Sequence, residues 1–273
     1  MRLLRVLSIA GLVARTSMAL HQLYDVPVSN HGARVRLILK AKGIESLFNI
    51  ESPAALGGLK SEAYLKLNPQ GKMPLLVTSA DSEGTNQLVL PESDTICRYI
   101  LEKYAENAPS FVPKDIGLKY LSETIVRTHD IYITNIQGCM YKAPGTVFST
   151  FGTDRRAALS ELKKQLLIIE SSIEMFHERS GTCSSKGPFL CGSEISLADA
   201  TLFPTMVFCD FMLPQFFNTP REEFTGKILS DWFDHMSMNV PAGMVIKEEI
   251  VGALDGWKNN GRWAPILEEL KSA

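Results

Sequence analysis

Two short segments carry residue types that could do chemistry together. One is Asn68-Pro69-Gln70-Gly71-Lys72-Met73-Pro74-Leu75-Leu76-Val77, and the other is Leu90-Pro91-Glu92-Ser93. A proline that opens an apolar strand cannot donate to a sheet ladder, so it belongs at an edge or at a first residue. With the Met73–Pro74 bond cis, the Met73 backbone N–H and C=O face outward and can pair with an extended peptide. Glu92 and Ser93 stand at a helix start, where a carboxylate, a hydroxyl and unpaired N–H groups can seat an ammonium and a carboxylate. Together the segments read as a small-peptide site. Taken one at a time, they read equally well as a tight turn and a capped helix.

The elements that must hold these groups are legible from periodicity. Residues 20–26 read as a strand, and Val35, Ile38 and Leu39 give a helical face that stops at Gly43. Residues 47–50 form a second strand, and residues 59–67 a short helix that ends before Asn68-Pro69. Residues 74–78 and 87–90 read as two strands joined by a polar turn, and residues 92–105 as a helix. This order, β-α-β-α-β-β-α, predicts a small α/β domain with a mixed sheet over residues 20–107. Two prolines in a polar stretch mark residues 108–117 as a linker, and residues 118–273 read as all-helical. There Leu159, Leu162, Leu166, Ile169, Ile173 and Phe176 recur at helical spacing, the stripe of one long helix. Ser196-Leu197-Ala198-Asp199 reads as a capping box, with Ser196 capping the Asp199 N–H and Asp199 reaching back to that of Ser196.

Bulk properties set the outer bounds. At 273 residues, with 45% hydrophobic and 21% charged content, the chain can bury a large core in one or two domains. A net charge of −2 without a Lys/Arg stripe argues against nucleic-acid binding. Five scattered cysteines, Cys97, Cys139, Cys183, Cys191 and Cys209, make no Cys-x-x-Cys and no zinc spacing, so no metal site is expected. They read as free thiols; export would instead allow Cys183 and Cys191 to pair. Residues 1–19 are basic, apolar and acid-free, as a secretory signal or an organellar transit peptide would be, and the apolar run is too short to span a bilayer. Without cleavage they would be an N-terminal extension of a cytoplasmic protein.

A small α/β domain with a strand-opening proline and Glu-Ser, followed by a helical domain with a Ser-x-x-Asp box, resembles the cytosolic glutathione transferase superfamily. Residues 60–74, from Lys60-Ser61-Glu62 through Asn68-Pro69-Gln70-Gly71-Lys72-Met73-Pro74, look like the family's segment between its second helix and third strand. The resemblance covers residues 20 to about 270. It implies a thioredoxin-like N-terminal domain that binds glutathione as cosubstrate, a helical C-terminal domain, and a homodimer. Met73 would pair its backbone with the cysteinyl unit ahead of a cis Pro74. Glu92 and Ser93 would hold the γ-glutamyl amine and carboxylate, and Lys60 and Lys72 would lie near the glycyl carboxylate.

By the same resemblance the catalytic group is Ser29, five residues before Arg34 in Ser29-Asn30-His31-Gly32-Ala33-Arg34. That is the offset of the activating residue in the serine-type tau and zeta classes and of the omega-class cysteine. The theta-class offset would place Asn30 there instead. A hydroxyl donor aimed at sulfur favours the thiolate, the nucleophilic form. His31 reads as a bystander, because the task needs a donor more than a base. The second substrate would lie against His129, Tyr132, Ile133, Ile136, Met140 and Tyr141, a spacing that fits helix packing as well. The implied activity is conjugation of glutathione to a small, mostly apolar electrophile. A zeta-like glutathione-dependent isomerase and a non-catalytic ligand-binding or interaction module are the alternatives.

Overall fold

The computed structural model describes residues 20–80, 87–180 and 187–272. The leader expected over residues 1–19, Cys183 and most of the turn expected before residue 87 lie outside the described residues. Chain order gives β1 (His21–Tyr24), α1 (Asn30–Ala41), β2 (Phe48–Glu51), α2 (Glu62–Leu67), β3 (Leu75–Val77), β4 (Val89–Pro91) and α3 (Ser93–Lys103). The sheet runs β2-β1-β3-β4, with β1 parallel to β2 and antiparallel to β3, and β3 antiparallel to β4. It is the mixed sheet expected of a thioredoxin-like domain.

Helix α1 shows why periodicity alone understates burial. Val35, Ile38 and Leu39 are buried as expected, but so are Arg34, Arg36 and Leu37 on other faces. The helix packs on α3 on one side, and on α6 (Leu197–Phe216) and α8 (Pro241–Asn259) on the other. The charges that this burial takes from water are paired: Arg36 meets Asp25 and, at 2.9 Å, Glu249 of α8. An unpaired buried charge would cost several kcal/mol, on the order of 3–5.

The remaining helices are α4 (Ile116–Thr128), α5 (Arg155–Ser180), α7 (Lys227–Met238) and α9 (Ala264–Ser272). Helix α4 starts inside the stretch read as linker, because the Asp115 side chain caps the Leu118 N–H at 2.9 Å. That stretch is also anchored: Phe111 is buried and its carbonyl accepts from the Leu197 N–H at 3.0 Å. Along α5, Leu162, Leu166, Ile169 and Ile173 are buried, while Leu159 and Phe176 lie at the stripe's edge, half-buried.

At the start of α6 the carboxylate of Asp199 gathers more than a capping box requires. It accepts from the Ser196 N–H and hydroxyl (both 2.7 Å), the Leu190 N–H (2.9 Å) and the Trp232 indole (2.8 Å). The Ser196 hydroxyl donates to that carboxylate as well as taking part in the expected capping box, both halves of which are present. Among the described residues α6 is apolar and long enough to cross a membrane, but 89% of that stretch is buried inside the fold, so it is a core helix. Cys97, Cys139, Cys191 and Cys209 are free and buried.

Candidate active site

The turn over residues 68–72 is held from inside. The Lys72 carbonyl accepts from both the Tyr64 hydroxyl and the Asn68 amide, each at 2.8 Å, and Gly71 N–H returns to the Asn68 carbonyl at 2.9 Å. Gly71 has φ +60°, and a Cβ there would stand 2.7 Å from the Leu59 carbonyl, so only glycine closes the turn. The Met73–Pro74 bond is cis. Strand β3 begins at Leu75, which leaves Met73 outside the ladder.

Across β4, Glu92 adopts φ +68° and ψ 118° as the N-cap of α3, and its side chain makes no capping bond. A non-glycine residue in that region costs about 1–3 kcal/mol and is characteristic of ligand sites. The leading N–H groups of α3 are thereby left for an anion. Ser93 is buried, and its hydroxyl accepts from Arg34 Nη1 at 3.3 Å.

These segments share one cavity of about 350 Å³, whose wall includes Lys72, Met73, Pro74, Glu92 and Ser93 with Asn68, Asp94 and Thr95. His31 faces them from the first turn of α1, and Arg127, Asp130 and Thr134 from the end of α4. Ser29 and Lys60 are not in the wall. Ser29 is the N-cap of α1, its hydroxyl accepting from the Gly32 N–H at 3.0 Å. That bond uses an acceptor lone pair and leaves the hydroxyl proton free to donate. Lys60 is exposed above the turn, its ammonium next to Gly71.

The residues expected for a second substrate are not brought to this cavity. His129, Ile133, Ile136 and Met140 are buried in the core, Tyr132 is exposed, and Tyr141 packs on Phe208 and Trp257. Past the end of α4 the chain runs on in a π-turn, His129–Ile133, with Thr134 N–H reaching back to the His129 carbonyl at 2.9 Å. One extra residue per turn rotates the following side chains, and such turns recur at functional sites. Arg127, Asp130 and Thr134 are the residues of this stretch that face the cavity. Their spacing of three and four was visible in the sequence; which face would point inward was not.

Behind the wall lies a polar network that sequence patterns did not reveal. Arg34, fully buried, pairs with Asp130 at 2.5 Å, and Asp130 also takes the His129 Nδ1–H at 3.0 Å. His129 Nε2 lies 2.8 Å from the Thr205 hydroxyl, and the Asn30 amide donates to both Thr205 (2.9 Å) and Gln137 (2.7 Å). Burial pushes the Asp130 carboxyl up, but the His129 hydrogen bond and the Arg34 charge hold it below the ordinary carboxylate range. Burial, followed by the charges of His129 and Arg34, drops His31 to about 3, so its ring is neutral. Asn30, the alternative to Ser29 as donor, is committed to this network. Among the described residues, no group of three or more His, Cys, Asp or Glu could hold a metal.

Comparison with known proteins agrees with this architecture. The family model for the glutathione S-transferase N-terminal domain matches residues 23–108, and that for its C-terminal domain matches residues 153–235. Glutathione S-transferase 1 of Dianthus caryophyllus is 26% identical over 191 residues, covering 68% of this chain and 76% of that protein. Glutathione S-transferase 3 of Zea mays is 28% identical over 184 residues, covering 67% and 75%. The crystal structure of poplar glutathione transferase F1 superposes with a TM-score of 0.60 at 23% identity, covering 85% of this chain and 99% of that one. The structure of Ure2p in complex with glutathione gives 0.62 at 16% identity, covering 84% and 98%. The chain belongs to the cytosolic glutathione transferase superfamily. It is accordingly a transferase of the glutathione-using kind.

Proposed function

We propose that the protein binds glutathione in the cavity between β3, α3 and α4 and activates it as a thiolate for attack on a small electrophile. The observation that carries the reading is the convergence of Met73-Pro74 and the strained Glu92-Ser93 corner on one cavity. An extended tripeptide spans it with its γ-glutamyl end at Glu92 and the α3 N-terminus. Its cysteinyl unit lies along the Met73 backbone, and its glycyl carboxylate is toward Lys72 and Lys60. The Ser29 hydroxyl, at the head of α1, donates to the sulfur. A free thiol titrates near 8.5, so about 2 kcal/mol of preferential stabilisation makes a large fraction ionised at neutral pH. The thiolate forms the new S–C bond as the electrophile's leaving group departs with its electron pair.

The polar wall from Arg127, Asp130 and Thr134 favours an electrophile with a polar substituent beside its apolar body. Calorimetry with millimolar glutathione tests the seat. Binding heat in the wild type, weakened in Glu92→Ala, is expected; no heat would refute the reading.

A homodimer is part of the proposal. Ile116, Tyr120 and Met175 are exposed along an apolar groove between α4 and α5, and Leu88 and Val89 along the β4 edge. A second copy covering these surfaces should sediment as a dimer that Tyr120→Asp weakens. The leader is read as a targeting segment, to be checked by mass spectrometry of the mature N-terminus from cells.

A further inference from the structure

His31 is the member of the cavity wall to which thiolate activation by Ser29 assigns no role. It stands in the first turn of α1, two residues after Ser29, and shares the wall with Met73, Glu92 and Ser93. Its ring sits edge-on to that of His129, with centroids 6.3 Å apart. Neither ring nitrogen has a hydrogen-bond partner among the described residues, in contrast to His129, whose two nitrogens are both engaged. A partly buried imidazole without a protein partner that opens into a ligand cavity can donate to an acceptor bound there.

We propose that His31 is a second catalytic donor, its imidazole N–H hydrogen-bonding the glutathione sulfur alongside the Ser29 hydroxyl. The inference rests on the proposed glutathione seat. With the γ-glutamyl end at Glu92 and the glycyl end at the lysines, the cysteinyl side chain is the part of the peptide left to face the head of α1. His31 does not act as the base. Burial among His129 and Arg34 keeps its ring neutral down to about 3, far too weakly basic to take a proton from a thiol near 8.5. The thiol proton therefore goes to solvent, and the neutral ring retains its N–H for the anion left behind. A neutral donor suits the site, since it stabilises the thiolate without competing as a cation for the carboxylates of Glu92 and Asp130.

The test is a pH titration of the bound thiol by thiolate ultraviolet absorbance, in wild type, His31→Leu and His31→Gln, with glutathione affinity measured by calorimetry. At about pH 5.5, where the bound thiol is protonated, His31→Leu should bind glutathione within about twofold of wild type. Its thiol should titrate about one pH unit higher, which at neutral pH cuts the thiolate fraction about fivefold, the scale of one hydrogen bond to a charged acceptor. His31→Gln, which restores an N–H, should recover most of that loss. An unchanged titration in His31→Leu with affinity intact overturns the role of His31 and leaves the seat standing. Absence of glutathione binding by the wild type overturns both. Should His31→Leu fail to fold, the isosteric pair His31→Gln and His31→Glu decides: equal thiol titration in the two refutes the donor.

Discussion

Ser29 has two jobs, and substitution separates them. Its hydroxyl oxygen caps α1 through the Gly32 N–H at 3.0 Å, while its proton is assigned to the glutathione sulfur. Ser29→Ala removes both. Loss of an N-cap costs about 1 kcal/mol, which for a protein of this size lowers the melting temperature by about 2–4 °C. Loss of the donor, at about 2 kcal/mol, raises the bound thiol by about 1.5 pH units. A bound thiol near 7.0 would rise to about 8.5, with the His31 donor still offsetting the desolvation that raises a buried thiol, and its ionised fraction at pH 7 would fall from about one half to about 3%, roughly fifteenfold. Conjugation should slow by a similar factor, less a small gain in intrinsic nucleophilicity. Ser29→Asp keeps the cap acceptor and adds a favourable charge at the helix N-terminus, so it should melt as high as wild type. Its carboxylate opposes the thiolate, so conjugation should fall at least as far as in Ser29→Ala. Thermal melts and initial rates with a chlorinated nitrobenzene read the two effects independently. Wild-type rates in Ser29→Asp would refute the sulfur contact, and an unmoved melt in Ser29→Ala would refute the cap.

Three further outcomes follow from the same geometry. Asp130→Asn leaves the buried Arg34 guanidinium without its carboxylate; it should cost about 2–3 kcal/mol in denaturant unfolding and weaken glutathione binding, since Arg34 also holds Ser93. Asp199→Ala strips partners from the buried Leu190 N–H, Ser196 N–H and Trp232 indole, and should lose about 3–5 kcal/mol by the same measurement without changing the bound thiol's titration. His31 and His129 are both held neutral, below the 6.5 of the unfolded chain, chiefly by burial. The unfolded chain therefore binds more protons below that value. Stability is fully present above about pH 6.5 and should decline toward pH 4 by about 1.4 kcal/mol per pH unit for each ring kept neutral; His31→Gln should remove its share of that slope.

Much of the scaffold was legible in the sequence. The chain order of strands and helices, the turn at residues 68–72, the stripe of α5 and the box at Ser196 each rest on local rules: a period, a turn-forming residue, a cap. Those rules act within a few residues, so sequence carries them. Where they failed, a partner distant in the chain had intervened. Residues 108–117 read as a linker because their prolines and polar residues are local facts, while Phe111 is anchored by Leu197, far along the chain. Helical spacing puts the second-substrate wall on Tyr132, Met140 and Tyr141, but packing against distant helices buries Met140 in the core and leaves Tyr132 exposed to solvent.

In the proposed small-peptide seat the Met73-Pro74 corner is written locally, whereas the positive φ of Glu92 is imposed by its surroundings, since its own residue type disfavours it. What stands opposite that seat is a matter of packing. Insertion of α1 between α3 and α6 buried Arg34 and required Asp130 to answer its charge. That packing of α1 against the end of α4 sets His31 opposite Asp130 and Thr134 in the cavity wall. Burial is a property of the whole fold, and the protonation of His31 that follows from it was beyond the reach of any local pattern.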